Sequence, residues 1–159
     1  MRRGAFAAAV ALAFCASAAL SLSVSAQETP ETPVTLGLEA EAFQFAGSWQ
    51  FDAGHTGYSG SGYVFAGTGN GAELPAVTAV KIPRAGVYRL WGRALDFATD
   101  RPGIRRMTVS VDGRKAAEPF GDHGREGWHW EPGGSFRLRK GRVLLTIEDL
   151  DRFWGRIDA

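Results

Sequence analysis

Beyond residue 35 no stretch of the chain carries the three-to-four-residue apolar spacing of a helix. Apolar residues instead alternate over short runs that end at glycine or proline. In Met107-Thr108-Val109-Ser110-Val111 the apolar side chains share one face, and Val143, Leu145 and Ile147 do the same. The pattern predicts strands near 35–43, 45–51, 62–66, 76–82, 86–95, 106–112, 128–131, 134–139 and 142–148, with the tail from 156 as a further candidate. Asp112-Gly113 predicts a tight hairpin, and Pro83-Arg84-Ala85-Gly86 and Arg139-Lys140-Gly141 mark other turns. The predicted class is all-β, a two-sheet antiparallel β-sandwich. Three longer connections, 66–75, 96–105 and 121–127, are where a sandwich gathers its functional loops.

The N-terminus reads as an export signal. Arg2 and Arg3 precede an alanine-rich apolar run from Ala5 to Leu22, and Val24-Ser25-Ala26 offers small residues for cleavage. Serines dilute the run and no basic segment follows it, which disfavours a membrane anchor. Phe14 is too bulky to precede a lipidated Cys15. The predicted organisation is a signal peptide over 1–26, a flexible linker over 27–35 (Gln-Glu-Thr-Pro-Glu-Thr-Pro at its start) and one domain over 36–159. The protein is expected to be secreted or periplasmic. Loss of Arg2 and Arg3 lowers the 18 basic side chains to 16 against 17 acids, which argues against nucleic acid or a lipid surface as the main partner. The single cysteine leaves with the leader, so no disulfide supports the domain.

Carboxylates stand at both ends of the domain, as Glu39-Ala40-Glu41 and as Asp158 in the closing Arg156-Ile157-Asp158-Ala159. First and last strands of a sandwich commonly lie side by side, which would bring these hard oxygen donors together in a set suited to calcium. The alternatives are strand carboxylates that merely solubilise an edge, or a contribution from Asp149 and Asp151 instead. The aromatic residues also divide by alternation. Tyr88, Leu90 and Ala94 share one face of a strand, and Arg89, Trp91 and Arg93 share the other. Two guanidiniums are costly inside a core, so the Tyr88 face is predicted to point inward and Trp91 to lie on an outer sheet surface. Trp128 and Trp130 point the same way, and Tyr58 sits in a Gly/Ser-rich turn.

The ordered set Glu39-Ala40-Glu41, Ile82-Pro83-Arg84-Ala85-Gly86-Val87-Tyr88-Arg89-Leu90-Trp91, Val109-Ser110-Val111-Asp112-Gly113, Trp128, Leu138-Arg139-Lys140-Gly141 and Ile157-Asp158 resembles the galactose-binding-like jelly-roll modules, particularly carbohydrate-binding module families 6 and 35. Gly121-Asp122-His123-Gly124, Trp128-His129-Trp130 and Asp149-Leu150 through Asp158-Ala159 also look like β-sandwich segments attached to secreted bacterial oxidoreductases and to golvesin and xanthan-lyase-type proteins. The resemblance implies a structural calcium held by Glu39, Glu41 and Asp158, and a stacking aromatic at Trp128. It also implies an asparagine before the closing apolar–aspartate pair; Arg156 stands there instead, which shifts the expected preference toward acidic sugars.

No zinc-binding His spacing and no Gly-x-Ser-x-Gly elbow occurs, so an enzyme is not expected. The expected function is non-catalytic binding of a polysaccharide or glycan by a monomer. Tyr58, Trp91 and Trp128 would stack on sugar rings, and Arg93, Arg156 and Asp122-His123 would bond hydroxyls or carboxylates. The alternative is an accessory or assembly domain of a larger secreted oxidoreductase or hydrolase that contacts protein or cell-wall polymer.

Overall fold

The computed structural model describes residues 32–67 and 74–159; the predicted signal peptide, part of the linker and the middle of the 66–75 connection lie outside them. The chain divides into Met1–Val34 and Thr35–Ala159, and the strands belong to the second unit. Among the described residues these are β1 (Trp49–Asp52), β2 (Tyr63–Ala66), β3 (Ala76–Ile82), β4 (Gly86–Asp96), β5 (Met107–Val111), β6 (Arg114–Lys115), β7 (Gly127–Leu138), β8 (Gly141–Asp149) and β9 (Arg156–Ile157). They form two antiparallel sheets, ordered β1-β2-β9-β4-β7 and β3-β8-β5-β6.

Alternation produces the core as predicted. Val143, Leu145 and Ile147 of β8 are buried together with Val109 and Val111 of β5 and Val80 and Ile82 of β3. Val64, Ala66, Ala94, Phe136, Leu138 and Ile157 face them from the five-stranded sheet. Tyr88 and Leu90 pack against this core while Arg89 and Trp91 face solvent, so the guanidinium argument gave the correct orientation of β4. Asp112-Gly113 closes the β5–β6 hairpin with φ of +48° and +76°, the left-handed pair that matches strand twist.

Two expectations fail locally. No strand forms over 35–43; Ala40–Ala42 is instead one turn of 3-10 helix, followed by a single bridge between Gln44 and Val77. There the Ala40 N–H is taken by the Asp158 carbonyl at 2.7 Å, and this single bond replaces a ladder. The segments 128–131 and 134–139 are one strand, β7, not two. They are joined through a bulge where Leu90 faces Gly134 and Trp91 faces Pro132, leaving Gly133 unopposed. A Cβ on Gly133 would lie 2.6 Å from Phe120 Cζ and 2.8 Å from Leu90 Cδ2, so glycine at the bulge is what lets the fully buried Phe120 ring seat against the sheet.

Beside that bulge Glu131 is buried, and its Oε1 accepts the Gly121 N–H at 2.9 Å. Burial, reinforced by neighbouring Asp122, pushes its carboxyl up to about 7 against the opposing Gly121 hydrogen bond. The folded-state value lies above the ordinary 4.5, so this group favours folding most at low pH and loses that contribution as pH rises from about 4.5 to about 7. Glu131→Gln keeps the acceptor and removes the charge. Its unfolding free energy in urea is expected to decline less than that of the unsubstituted protein across this window. Equal declines would show that Glu131 does not titrate there.

Candidate functional site

The end of the chain is clamped from three sides. Asp158 N–H bonds the Arg93 carbonyl at 2.9 Å, Arg93 N–H bonds the Ala159 carbonyl at 2.6 Å, and the Asp158 carbonyl takes Ala40 N–H. The Asp158 carboxylate is fully buried. It accepts the Ser59 N–H at 3.0 and 3.1 Å and lies 2.7 Å from Arg93 Nη1. Ser59 Oγ stands 3.1 Å from Asp158 Oδ2 and 2.8 Å from Glu39 Oε2, so its one proton serves either carboxylate but not both. Ser61 N–H and Oγ donate to Glu41 Oε1 at 2.8 and 2.9 Å. Burial alone would raise the Glu41 carboxyl, but these bonds outweigh it and hold the group below its ordinary range.

Glu39, Glu41 and Asp158 therefore meet around the turn Ser59-Gly60-Ser61. Gly60, at φ +61°, leaves the space: a Cβ there would lie 2.4 Å from Glu41 Oε1. Arg93 compensates one of the three negative charges, and Glu41 Oε2 is buried without a hydrogen-bond partner among the described residues. Carboxylate and hydroxyl oxygens are the donor type that suits a hard divalent cation. Among the described residues, however, no three His, Cys, Asp or Glu side chains are already grouped as a metal cluster.

Arg93 and Trp128 hold the 53–62 loop down on the outer side of the five-stranded sheet. Arg93 Nη2 donates to the Gly57 carbonyl at 2.6 Å and Trp128 Nε1 to the Thr56 carbonyl at 3.2 Å. Trp128 is half-buried, 5.1 Å from the Tyr63 ring with the Arg93 guanidinium 6.0 Å from its centre. Tyr58 is half-buried 6.1 Å from the same Tyr63 ring. Tyr63 is wholly enclosed and donates to Asp52 Oδ2; burial, then that bond, pushes its hydroxyl up to about 12.

A cleft of about 450 Å³ opens at this end of the sandwich, lined by His55, Phe97, Asp100, Arg105, Phe153, Trp154 and Arg156. It is walled by the β1–β2, β4–β5 and β8–β9 loops. Arg105 is only 2% exposed and is held by Asp96 Oδ1 at 3.1 Å and Asp100 Oδ2 at 2.8 Å. Its guanidinium lies 4.6 Å from the Phe97 ring centre and 5.3 Å from that of Phe153. Arg156 sits 5.7 Å from both Phe97 and Trp154 and donates to the Trp154 carbonyl at 3.0 Å. Burial pulls the Arg156 guanidinium below its ordinary range. The Nε atoms of Arg105 and Arg156 are both buried without partners among the described residues. Three non-glycine residues of the walls, Arg101, Arg152 and Trp154, adopt φ of +50°, +56° and +52°. Such strain persists only where surrounding contacts enforce it, and it concentrates at functional loops.

The structure thus places Arg156 in the cleft, Arg93 and Trp128 beneath the adjoining loop, Tyr58 beside them, and Trp91 apart from all of these on the open sheet face, 51% exposed. His123 packs 4.7 Å from His129, not in the cleft. Sequence reasoning missed Phe97, Arg105, Phe153 and Trp154. The only available signal was their position in long connections between strands.

By sequence, no protein-family model and no curated protein matches the chain. By structure, it is similar to a family 35 carbohydrate-binding module from Clostridium thermocellum (TM-score 0.56, 21% identity, 76% of this chain and 90% of that one). It is similar in the same way to the corresponding module of Paenibacillus barcinonensis (0.54, 22%, 76% and 92%). The chain has the fold of a family 35 carbohydrate-binding module. That fold also occurs within enzymes: a Podospora anserina β-(1,4)-mannanase carrying such a module matches with TM-score 0.58 and 21% identity over 76% of this chain, which spans only 25% of the mannanase.

The Arg93–Asp158 pair can be tested directly. Arg93→Met strands a fully buried carboxylate, and the unfolding free energy in urea is expected to fall by about 3 kcal/mol. An unchanged value would mean that Ser59 alone satisfies Asp158.

Proposed function

We propose that this chain is an exported, non-catalytic carbohydrate-binding module whose glycan site is the loop-end cleft. The observation that carries the reading is the pairing of aromatic faces (Phe97, Phe153, Trp154) with two guanidiniums, the buried Arg105 and the half-buried Arg156, in the lining of one cleft. Pyranose rings offer apolar faces to the aromatics, and a sugar carboxylate is attracted by the positive charge of the two guanidiniums. The reading therefore favours glycans containing acidic residues. Arg156, standing where an asparagine was expected, is central to that preference.

The same reading assigns a structural calcium to Glu39, Glu41 and Asp158, with Glu41 Oε2 as the donor that most needs it. The ion would offset the excess negative charge around Ser59–Ser61 and tie the two ends of the domain together. It has no part in chemistry. A second reading, an accessory domain of a larger secreted enzyme, is favoured by the mannanase match, in which the similar fold is a minor part of an enzyme.

Two experiments test these proposals. The purified protein, screened against a glycan panel in calcium, is expected to bind an acidic glycan with a shift in tryptophan emission. Trp154→Ala and Arg156→Gln should each weaken that binding at least tenfold, the order of 1.4 kcal/mol. Silence across the panel from folded protein would remove the glycan reading and favour the accessory one. Separately, chelation is expected to lower the melting temperature by several degrees, with recovery on adding calcium. A melt indifferent to chelator, in protein free of metal by elemental analysis, would rule out the ion.

A further inference from the structure

The outward face of β4 and β7 is unlike the rest of the surface. Trp91 and Trp130 are 51% and 55% exposed, the former across from Pro132 and the latter across from Arg93. Further along the same face Arg89 opposes Ser135, and Arg137 opposes Val87, which is 60% exposed. The acids of these strands, Asp96 and Glu131, are turned away and buried. Arg93 is committed to Asp158 and Gly57, but Arg89 and Arg137 form no salt bridge among the described residues. At the turn end the face runs into a hollow of about 430 Å³ where Arg139, Lys140, Arg142 and Arg114 surround a single acid, Asp112. Asp112 already accepts the Leu144 N–H.

We propose that this face is a second binding surface, a track for an extended anionic polysaccharide, separate from the loop-end cleft. The inference rests on the glycan reading above and specifies which glycan chemistry the sheet face takes. The distance from Trp130 to Arg137 along β7 is about 20 Å at the rise of a strand, long enough for several sugar units. Tryptophan faces stack on the rings and guanidiniums pair with carboxylates or sulfates. The flat, regular strands hold both at fixed spacing. The charge density also points to a polysaccharide. Arg89 and Arg137 are diagonal neighbours across the ladder, about 7–8 Å apart, roughly twice the 3.4 Å between phosphates on a nucleic acid strand.

Binding of the purified protein to polygalacturonate and to its methyl-esterified form, measured over a range of salt, tests the proposal. The acidic polymer should bind at least tenfold tighter at low salt, with the advantage shrinking as salt rises. Trp91→Ala/Trp130→Ala should lose at least tenfold in affinity for it, and Arg89→Gln/Arg137→Gln should lower both affinity and salt dependence. All four side chains are exposed, so melting temperatures should stay unchanged, and binding that survives in Trp154→Ala would assign it to the track. Loss confined to Trp154→Ala would overturn the track and leave the glycan reading standing. Equal binding of the two polymers, or tighter binding of single-stranded DNA or anionic vesicles, would overturn the anionic polysaccharide. No binding to any glycan by any form would remove both readings.

Discussion

The five-stranded sheet depends on a two-residue strand. Among the described residues β2 and β4 do not pair with each other; β9 lies between them and supplies the ladder that joins the two halves. Two residues of ladder are too few to hold such a junction alone. The fully buried Asp158 carboxylate immediately after β9, gripped by Arg93 of β4 and by the Ser59 turn, converts this weak seam into a fixed one. A buried charge of this kind is costly unless fully partnered, so the surrounding donors are as much a requirement as a result. The position of the 53–62 loop, and with it one wall of the cleft, follows from the same anchor.

Much of the architecture was legible because one-sided burial leaves a period of two in the sequence. β3, β4 and β8 emerge from that period, β5 from its alternating residue types although Thr108 and Ser110 are buried too, and the Asp112-Gly113 hairpin from the conformational freedom its turn demands. The elements that were misread lack such a signal. Ala40–Ala42 alternates acid and alanine much as a strand would, but its partner is one carbonyl near the far end of the chain. The bulge in β7 shows in sequence only as Pro-Gly-Gly, which reads equally well as a turn between two strands. Glu39, Glu41 and Asp158, which the resemblance groups, do stand around the Ser59–Ser61 turn, though the first two come from a 3-10 turn and its flank and not from a strand. Of the cleft walls the sequence singled out Arg156 alone, because three loops distant in sequence must fold before Phe97, Trp154 and Arg105 become its neighbours.

The tryptophans divide the labour of the domain. Trp49 is core and Trp128 supports a loop, while Trp154 is stacked on Phe65 at 5.4 Å beside the cleft. Trp91 and Trp130 remain on the surface without aromatic partners among the described residues. Were both surfaces to bind glycan as proposed, the cleft would present loops of strained backbone around two guanidiniums, and the sheet face would present regular strands with exposed side chains.

The hydrogen bond between Ala40 and Asp158 has a mechanical consequence. It joins the beginning of the domain to its end, so tension applied through segments attached at both sides would bear first on that bond and on the Arg93–Asp158 pair behind it. The core strands β3, β5 and β8 would be shielded until this latch opened. A tethered module that is tugged as a polymer drifts in flow would thus yield at one corner and reseal there, keeping the rest of its sheets intact.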